Sequence, residues 1–407
     1  MASSSESHEL RAREIDGLRF AAVGFIALFH VVHYYVKIGG AGPVSASGPA
    51  TRYVLADLAP YGHPAIALLV LCSGFIFAWP FAMHYLGGAP CPRWRPFVRR
   101  AIGAHRVLYV LGLTFFLGCF TIAEARSLLT LVPHYLAGVF YIHSLVFGQP
   151  NPIDAGTWFL EVEVQLILLA PLLARLFAIR SARARRGVLV ALIVVLAAAQ
   201  AWLVPPGSRL ALTAIPFLPV FFAGFLLLDL HVAGGRPPET SPAWDVVALL
   251  ALALMAGVWR TTQLNWLALP ALTLLLGVAT LRGRYLSRGL RSRRMMGVAA
   301  GWYGLYLLHG PLVVVAVELT RHLVVTDSFA VNLLVQCLLV APLLAALLAA
   351  VLAGERVVGA WTLPSWWDRI GREGVGPGEA VHGPPRRSSL ELLLGSPPAI
   401  RGESTAE

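Results

Sequence analysis

The segment IDGLRFAAVGFIALFHVVHYY, residues 15–35, places one arginine and two histidines in an apolar run near the start of the chain. Arg19 and His30 are eleven positions apart, so on a helix they project from one face, about 16 Å apart along its axis. A charge at the centre of a membrane helix costs about 2.5–3.5 kcal/mol or more, and each such residue therefore needs a reason. An imidazole can transfer a proton and a guanidinium can bind an anion. The structural alternative is an arginine that reaches the interface and a histidine hydrogen-bonded to a neighbouring helix, and His33 is the weaker candidate because it lies at the predicted outer interface.

Two glutamates lie near the start of a second apolar segment, GTWFLEVEVQLILLAPLL at residues 156–173. A carboxylate near a helix N-terminus is stabilised by the helix dipole, so a capping role would explain either Glu161 or Glu163. Residues two positions apart point in different directions on a helix. Only one of the two is therefore expected to face a given cavity.

A third histidine lies inside the segment GWYGLYLLHGPL at residues 301–312. The hydropathy pattern places His309 about eleven residues into its span, at a depth close to that of His30. The glycines and Pro311 of this segment favour close helix packing or a bend around a site.

The composition identifies the class of protein in which these residues must be positioned. The chain has 407 residues, of which 57% are hydrophobic and 13% charged, and its net charge is +11. This balance predicts a multi-span membrane protein. Lys37 is the only lysine, and the arginines cluster between apolar runs, which indicates membrane topology and argues against nucleic-acid binding. The four cysteines show no paired spacing, so neither a disulfide framework nor a metal site is expected.

Ten apolar runs are long enough, at about 20 residues each, to cross a hydrocarbon layer of about 30 Å. They lie near 18–37, 62–83, 104–123, 157–178, 187–204, 211–231, 243–259, 264–281, 298–320 and 329–353. The predicted fold is therefore an all-α membrane protein with about ten transmembrane helices. The first run is expected to be a retained span, because residues 1–17 lack the net-positive start of a signal peptide.

Arginine placement predicts the orientation of these spans. Short cytoplasmic loops hold the excess of arginine and lysine. Cytoplasmic N- and C-termini place all three basic loops inside, provided that the apolar segment 128–147 does not cross; we therefore predict that this segment is re-entrant or interfacial. The basic residues are Arg93, Arg95, Arg99 and Arg100; Arg180, Arg183, Arg185 and Arg186; and Arg282, Arg284, Arg288, Arg291, Arg293 and Arg294. The predicted organisation is a cytoplasmic segment at 1–17, a transmembrane domain at 18–353 and a cytoplasmic tail at 354–407, largely disordered from about 371.

The three polar segments, in this order, resemble the acyltransferase-3 family of multi-span membrane acyltransferases, and the resemblance covers most of residues 13–353. Each motif is weak alone, whereas their order and spacing along ten spans make the match specific. The register of the second segment favours Glu163 over Glu161. The matching residues are Asp16, Gly17, Leu18, Arg19 and His30; Trp158, Leu160, Glu163, Gln165 and Pro171; Tyr303, Leu305, Tyr306, Leu307 and His309; and the CSGF of 72–75 and FFAG of 221–224.

Two departures from the family pattern concern the substrate sites. The family usually repeats arginine at a three-residue step before the third span, whereas Gly103 stands where that repeat would fall. The donor-binding role is therefore spread over Arg99, Arg100 and Arg106. The aromatic pair that commonly follows the glutamate is replaced by Leu166-Ile167, which would reshape the acceptor pocket.

The resemblance implies transfer of an acyl group, most commonly acetyl, from cytoplasmic acyl-CoA to a hydroxyl of a carbohydrate, a cell-envelope glycan or a glycosylated metabolite. The enzyme would reside in the inner membrane, with acyl-CoA as a donor substrate and no permanently bound cofactor. Direct attack of the hydroxyl on the thioester is favoured, while an acyl-histidine route stays open, and any second step outside the membrane would need a partner protein. The implied catalytic residues are His30, as general base, and Glu163; the implied phosphate-binding residues are Arg19, Arg99, Arg100 and Arg106; and the implied substrate-binding residues are Asp16, Trp158, Tyr306 and His309.

Two other classes of protein remain open from the sequence. A transporter or flippase of a polar or glycan substrate would suit ten spans with scattered polar residues, although the two-half symmetry typical of many transporters is not seen. A haem protein could use histidines such as His30, His33, His134 and His143 as axial ligands.

Overall fold

The structure, a computed structural model, describes residues 13–38, 62–123, 127–204, 208–232, 239–258 and 262–358. Within these ranges the chain is helical and contains no β-strand; one isolated parallel bridge joins Ser241 to Gly283. The predictions about residues 1–12 and the tail from 359 lie outside the described residues. The α-helices are α1 (Arg13–Ile38), α2 (Gly62–Gly87), α3 (Trp94–Ala123), α4 (Leu128–Val139), α5 (His143–Phe147), α6 (Trp158–Leu173), α7 (Ala182–Leu203), α8 (Leu218–Val232), α9 (Pro242–Val258), α10 (Thr262–Arg282), α11 (Arg284–Leu290), α12 (Arg293–Ala299), α13 (Trp302–Thr320) and α14 (Phe329–Val358).

The all-α membrane class is confirmed. Each of the ten predicted runs overlaps a described helix, but only six helices in the described ranges are long and apolar enough to cross a membrane: α1, α2, α3, α8 with the turn before it, α13 and α14. Helix α6 has 16 residues and continues through a 3₁₀ segment, Ala174–Ala178. Many large apolar side chains are exposed on the surface of the helical bundle, as expected where lipid replaces water.

Several helix boundaries differ from those predicted, and three of the helix starts have a local cause. Helix α3 begins at Trp94, ten residues before the predicted span, because its first turns are arginine-rich and do not score as apolar. Helix α8 begins at Leu218, since two 3₁₀ turns, Arg209–Leu212 and Ile215–Phe217, occupy the start of that run. Helix α13 begins at Trp302, after the separate helix α12.

The arginine-rich connections lie at one end of the helical bundle. The ring of Trp79, near the end of α2, is 6.2 Å from that of His231 at the end of α8. Arg185, at the start of α7, forms a 2.5 Å ion pair with the fully buried Asp229 of α8, and Arg186 donates to the other carboxylate oxygen at 2.7 Å. These contacts bring the C-terminal ends of α2 and α8 together with the N-terminal start of α7.

The connection between α10 and α13 joins the same end. Leu227 of α8 packs against Gly277 near the end of α10. Asp245 of α9 accepts a hydrogen bond from the backbone N–H of Leu286 at 2.8 Å, and Ser287 donates to Glu14 of α1 at 2.7 Å. We refer to this end as the arginine-rich end; it includes residues 88–93, 179–181 and 283–301.

The segment 128–147 forms a hairpin of α4 and α5 that reverses direction at residues 140–142. The Nδ1 atom of His134 lies 2.8 Å from Nε2 of His143, and the ring of Phe147 packs against both imidazoles. At the tip, the ring of Tyr141 stacks on the buried ring of Tyr109 in α3, with the centroids 4.6 Å apart. The chain therefore doubles back at this point and packs against α3.

Two glycines allow α2 and α8 to cross in backbone contact. A Cβ atom added at Gly74 would lie 2.3 Å from the carbonyl oxygen of Phe221, and one added at Gly224 would lie 2.3 Å from that of Leu71. Small residues permit such close approach of membrane helices. The CSGF and FFAG motifs therefore meet each other at this crossing, directly beside Ser73.

We expect Gly74→Ala to lower the thermal stability of the purified protein, because the added methyl group must push α8 away from α2. Overpacking of this kind typically costs about 1–3 kcal/mol. The matched control on the same helix is Gly87→Ala, where nothing in the described part of the chain lies within 4 Å of the added Cβ. Thermal unfolding in detergent measures both variants; equal midpoints for Gly74→Ala and the wild type would contradict the proposed contact.

Candidate active site

A buried ion pair joins α1 to α6. The Nη2 atom of Arg19 donates to Oε1 of Glu163, and the Ser73 hydroxyl donates to the same oxygen at 3.1 Å. The guanidinium carbon of Arg19 also lies 3.6 Å from the centroid of the Trp302 ring. Only 5% of Arg19 and 3% of Glu163 are exposed. A buried charge needs a partner of this kind, and a cation over a tryptophan face adds to its stabilisation.

The two glutamates of α6 project from different sides of the helix. Glu163 faces Arg19, whereas Glu161 faces the hairpin and accepts the backbone N–H of Ser144 at 2.7 Å. This acceptor lies at the N-terminal turn of α5, where an anion is stabilised. Ser73 was not among the predicted site residues, although the motif that contains it was noted.

A second polar contact joins α1 to α13. Nδ1 of His30 lies 2.7 Å from Nε2 of His309, and the two rings stack with centroids 4.9 Å apart and planes 7° from parallel. Nδ1 of His309 lies 2.6 Å from the carbonyl oxygen of Tyr306 and 3.1 Å from that of Leu305. The structure therefore brings together the two histidines that the hydropathy pattern placed at similar depth.

The contacts of His309 define which nitrogen of His30 is free to act. A carbonyl oxygen can only accept, so Nδ1–H of His309 donates to Tyr306. When both imidazoles are neutral, Nε2 of His309 must then accept Nδ1–H of His30. This arrangement leaves the lone pair on Nε2 of His30, which is the atom that a general base uses.

Tyr306 connects the histidine-bearing helix to the turn that precedes α6. Its hydroxyl donates to the carbonyl oxygen of Gly156 at 2.6 Å, and its ring contacts Phe159 edge-to-face with centroids 5.8 Å apart. The ring centroid is also 5.8 Å from that of His309. Because the hydroxyl is already engaged, Tyr306 positions the site through packing.

The other predicted site residues lie at the margins. Asp16 is half-buried in the first turn of α1, and Trp158 is half-buried at the start of α6, where its ring is 5.9 Å from that of Phe217. On α3, Arg99 and Arg106 are exposed and Arg100 is half-buried. Arg99 and Arg106 are seven residues apart and therefore share one helix face.

A cavity of about 10 Å³, room for about one water molecule, lies beside the Arg19–Glu163 pair. Its wall includes Glu163, Tyr141 at the hairpin tip and Tyr303. Ala101 and Ile102, which follow Arg100 on α3, form another part of the wall. The cavity therefore lies between the buried ion pair and the arginines of α3.

Asp154, which the sequence did not single out, lies two residues before Gly156, whose carbonyl oxygen accepts the Tyr306 hydroxyl. Its Oδ1 atom accepts the backbone N–H of Gly156 at 3.0 Å, and Thr157 donates to its carbonyl oxygen at 2.7 Å. The residue is 7% exposed. Burial raises the pKa of this carboxyl to about 7, against the lowering effect of the Gly156 N–H.

A family model described as an acyltransferase domain, of the acyltransferase-3 type, matches residues 13–359 of the chain. No curated protein and no solved structure shows significant similarity to it. The match extends over α1 to α14 and includes every residue of the site described above.

We expect the stability of the protein to fall as the pH rises from about 4 to about 7 because of Asp154. The folded state keeps the carboxyl protonated up to a pKa of about 7, against an ordinary value of 3.8, so it binds more protons than the unfolded state in this window. Above pH 7 the buried charge costs up to about 4 kcal/mol. Asp154→Asn keeps the acceptor for Gly156 and removes the charge. Its unfolding midpoint should match that of the wild type at pH 4 and exceed it at pH 8, and an unchanged difference across this range would refute the assignment.

Proposed function

The chain belongs to the acyltransferase-3 family, and from this premise we propose that it moves an acyl group, most commonly acetyl, from cytoplasmic acyl-CoA to a hydroxyl of a carbohydrate, cell-envelope glycan or glycosylated metabolite. It is a multi-pass membrane acyltransferase. The observation that carries the proposal is the His30–His309 contact at 2.7 Å, in which His309 is tied to a backbone carbonyl.

In the proposed reaction, Nε2 of His30 takes the proton of the acceptor hydroxyl while its oxygen attacks the thioester carbonyl carbon. The new carbon–oxygen bond gives a tetrahedral oxyanion. Collapse of this intermediate breaks the carbon–sulfur bond, and the proton on His30 passes to the CoA thiolate. The products are an ester and free CoA, and no covalent enzyme intermediate is required.

His309 would act on this step through His30. It holds the Nδ1–H tautomer of His30 in place, so that the basic nitrogen faces the acceptor. Nε2 of His309 continues to accept this same Nδ1–H when His30 becomes positively charged. This is the role that a carboxylate plays beside a catalytic histidine in hydrolases, here filled by a neutral ring.

The donor would bind from the arginine-rich end. Arg99, Arg100 and Arg106 offer guanidinium groups to the phosphates of CoA. Arg19 would also contribute to donor binding. Its Nη2 atom donates to Glu163, while its buried Nε–H has no hydrogen-bond partner in the described part of the protein. Glu163 keeps this guanidinium charged and oriented.

The proposed topology follows from the same arginines. Short basic loops remain cytoplasmic, so the arginine-rich end faces the cytoplasm, with both termini inside and ten crossings of the inner membrane. The acceptor would then approach from the opposite side, near Trp158 and Tyr306, and Asp16 would lie on the donor side.

We expect His30→Ala to reduce acyl transfer by about 10²–10⁴-fold, the contribution typical of general-base catalysis. His309→Ala should lower the rate as well, and His309→Gln should recover part of the loss if its amide oxygen accepts Nδ1–H of His30. Transfer of radiolabel from acetyl-CoA to an acceptor extract, with equal amounts of each variant in membranes, measures the rate.

His33→Ala is the matched control, since His33 lies one turn away on α1, where its ring stacks on Phe29. It should retain most of the activity. Full activity of His30→Ala in membranes would eliminate His30 as the base. Equal rates for the alanine and glutamine variants of His309 would remove the tautomer argument.

We expect Arg19→Met alone to destabilise the protein by about 3–5 kcal/mol, because it leaves Glu163 buried without a countercharge. The double variant Arg19→Met/Glu163→Leu removes both charges and should recover much of that stability, yet it should remain inactive. Thermal unfolding and the radiolabel assay report the two effects separately. An active double variant would show that the ion pair serves structure alone.

A further inference from the structure

Tyr141 has a backbone conformation that aromatic residues rarely adopt. It lies at the tip of the α4–α5 hairpin with φ of +58°, in the left-handed region. A side chain with a Cβ is disfavoured there, and a bulky one in particular. Such positions are stable only where the surrounding structure holds them, and they concentrate at functional sites.

The hydrogen bonds around Tyr141 show that glycine is the residue this backbone favours. The N–H of Tyr141 donates to the carbonyl oxygen of Gly138 at 2.7 Å, and that of Ile142 donates to Ala137 at 3.0 Å. This pair of bonds defines a Schellman motif, in which the residue after the helix cap is usually glycine. Helix α5 of the same hairpin ends in Gly148, with φ of +69°.

The side chain of Tyr141 is held rigidly and has an unsatisfied hydroxyl. Its ring stacks on Tyr109 with an interplanar angle of 16°, and the Tyr109 hydroxyl donates to Gly138 at 3.1 Å. Tyr141 is 7% exposed, and among the described residues its hydroxyl finds no hydrogen-bond partner. A buried unpaired donor is unfavourable, so this hydroxyl is available to an acceptor on another molecule.

The position of this hydroxyl indicates which substrate would meet it. Tyr141 lines the cavity that it shares with Glu163, and on α3 the wall begins directly after Arg100. Arg106 and Glu163 are charged groups near the Tyr141 hydroxyl. The tip of the hairpin therefore lies on the donor side of the site, between the proposed phosphate-binding arginines and the buried ion pair.

We propose that the Tyr141 hydroxyl donates a hydrogen bond to an amide carbonyl oxygen on the pantetheine arm of bound acyl-CoA. This inference rests on the proposed function, which makes acyl-CoA the donor. A neutral phenol suits a neutral carbonyl, whereas phosphates would be bound by the arginines. The cavity has room for about one water molecule, and the carbonyl oxygen would take the place of that water as neighbouring side chains move apart.

The experiment measures equilibrium binding of radiolabelled acetyl-CoA and of adenosine 3′,5′-bisphosphate, the nucleotide portion without the arm, to the purified full-length protein in detergent. Tyr141→Phe removes only the hydroxyl. It should weaken acetyl-CoA binding about five- to tenfold, the effect of one hydrogen bond, and leave bisphosphate binding unchanged. Tyr135→Phe is the matched control on α4, where the hydroxyl contacts Thr114 at 2.9 Å; it should bind both ligands normally.

Tyr141→Gly removes the whole side chain and places at this position a residue that tolerates the left-handed backbone conformation. Glycine relieves the left-handed strain, but this variant also loses a buried ring that stacks on Tyr109, so it should unfold at a lower temperature than Tyr141→Phe, which keeps that ring. Acetyl-CoA binding by the folded Tyr141→Gly variant should fall at least as far as in Tyr141→Phe while bisphosphate binding is retained, and full acetyl-CoA binding would overturn the proposal.

The possible failures are distinguishable. If Tyr141→Phe binds acetyl-CoA as tightly as the wild type, or binds both ligands more weakly, the proposed hydrogen bond to the arm is wrong. If the wild type itself binds no acetyl-CoA, the donor assignment in the proposed function fails, and this inference fails with it.

Discussion

The buried ion pair between Arg19 and Glu163 is the interaction on which the rest of the site depends. Neither charge can remain in the protein interior without the other, so α1 and α6 must meet at this depth. Ser73 of α2 and Trp302 of α13 complete the surroundings of the pair. Four helices, α1, α2, α6 and α13, therefore pack around this one ion pair. Helices α1 and α13 then carry His30 and His309 on the same packed surface, so the ion pair also positions the two histidines.

The need to give each buried charged or polar group a partner explains why these residues form pairs across helices and not a single cluster. The ion pair, the two site histidines and the histidines of the hairpin each satisfy one another across helices. Partners of this kind keep the ionisable groups in place within an apolar bundle. The contact of α2 with α8 at Gly74 and Gly224 keeps the backbone around Ser73 close-packed. The Tyr141 hydroxyl and the Nε–H of Arg19 are among the buried polar groups that this pairing leaves unsatisfied in the described part of the chain.

The sequence predicted the helices and much of the site because hydropathy and spacing report on single helices. It placed Arg19 and His30 on one face and His309 at a matching depth. It did not predict that Glu163 would pair with Arg19, since the two lie 144 residues apart and their contact depends on how α1 and α6 pack. Asp154 gave no signal, because a single aspartate in a loop is typical of a surface. Tyr141 gave none either, because a left-handed tyrosine cannot be distinguished by its letter from an ordinary one.

The chemistry proposed for the site requires that the site be closed to water. A histidine that can remove a proton from an acceptor hydroxyl can also activate a water molecule, which would hydrolyse the donor thioester. Excluding water is therefore as important as supplying the base. In this protein lipid-facing helices surround the site, and the cavity beside Glu163 has room for about one water molecule. The α4–α5 hairpin packs against α3, and Tyr141 at its tip forms part of the cavity wall. Under the proposed function the hairpin would favour transfer over hydrolysis, since the Tyr141 hydroxyl would replace water at the donor and its ring is held in place by stacking on Tyr109.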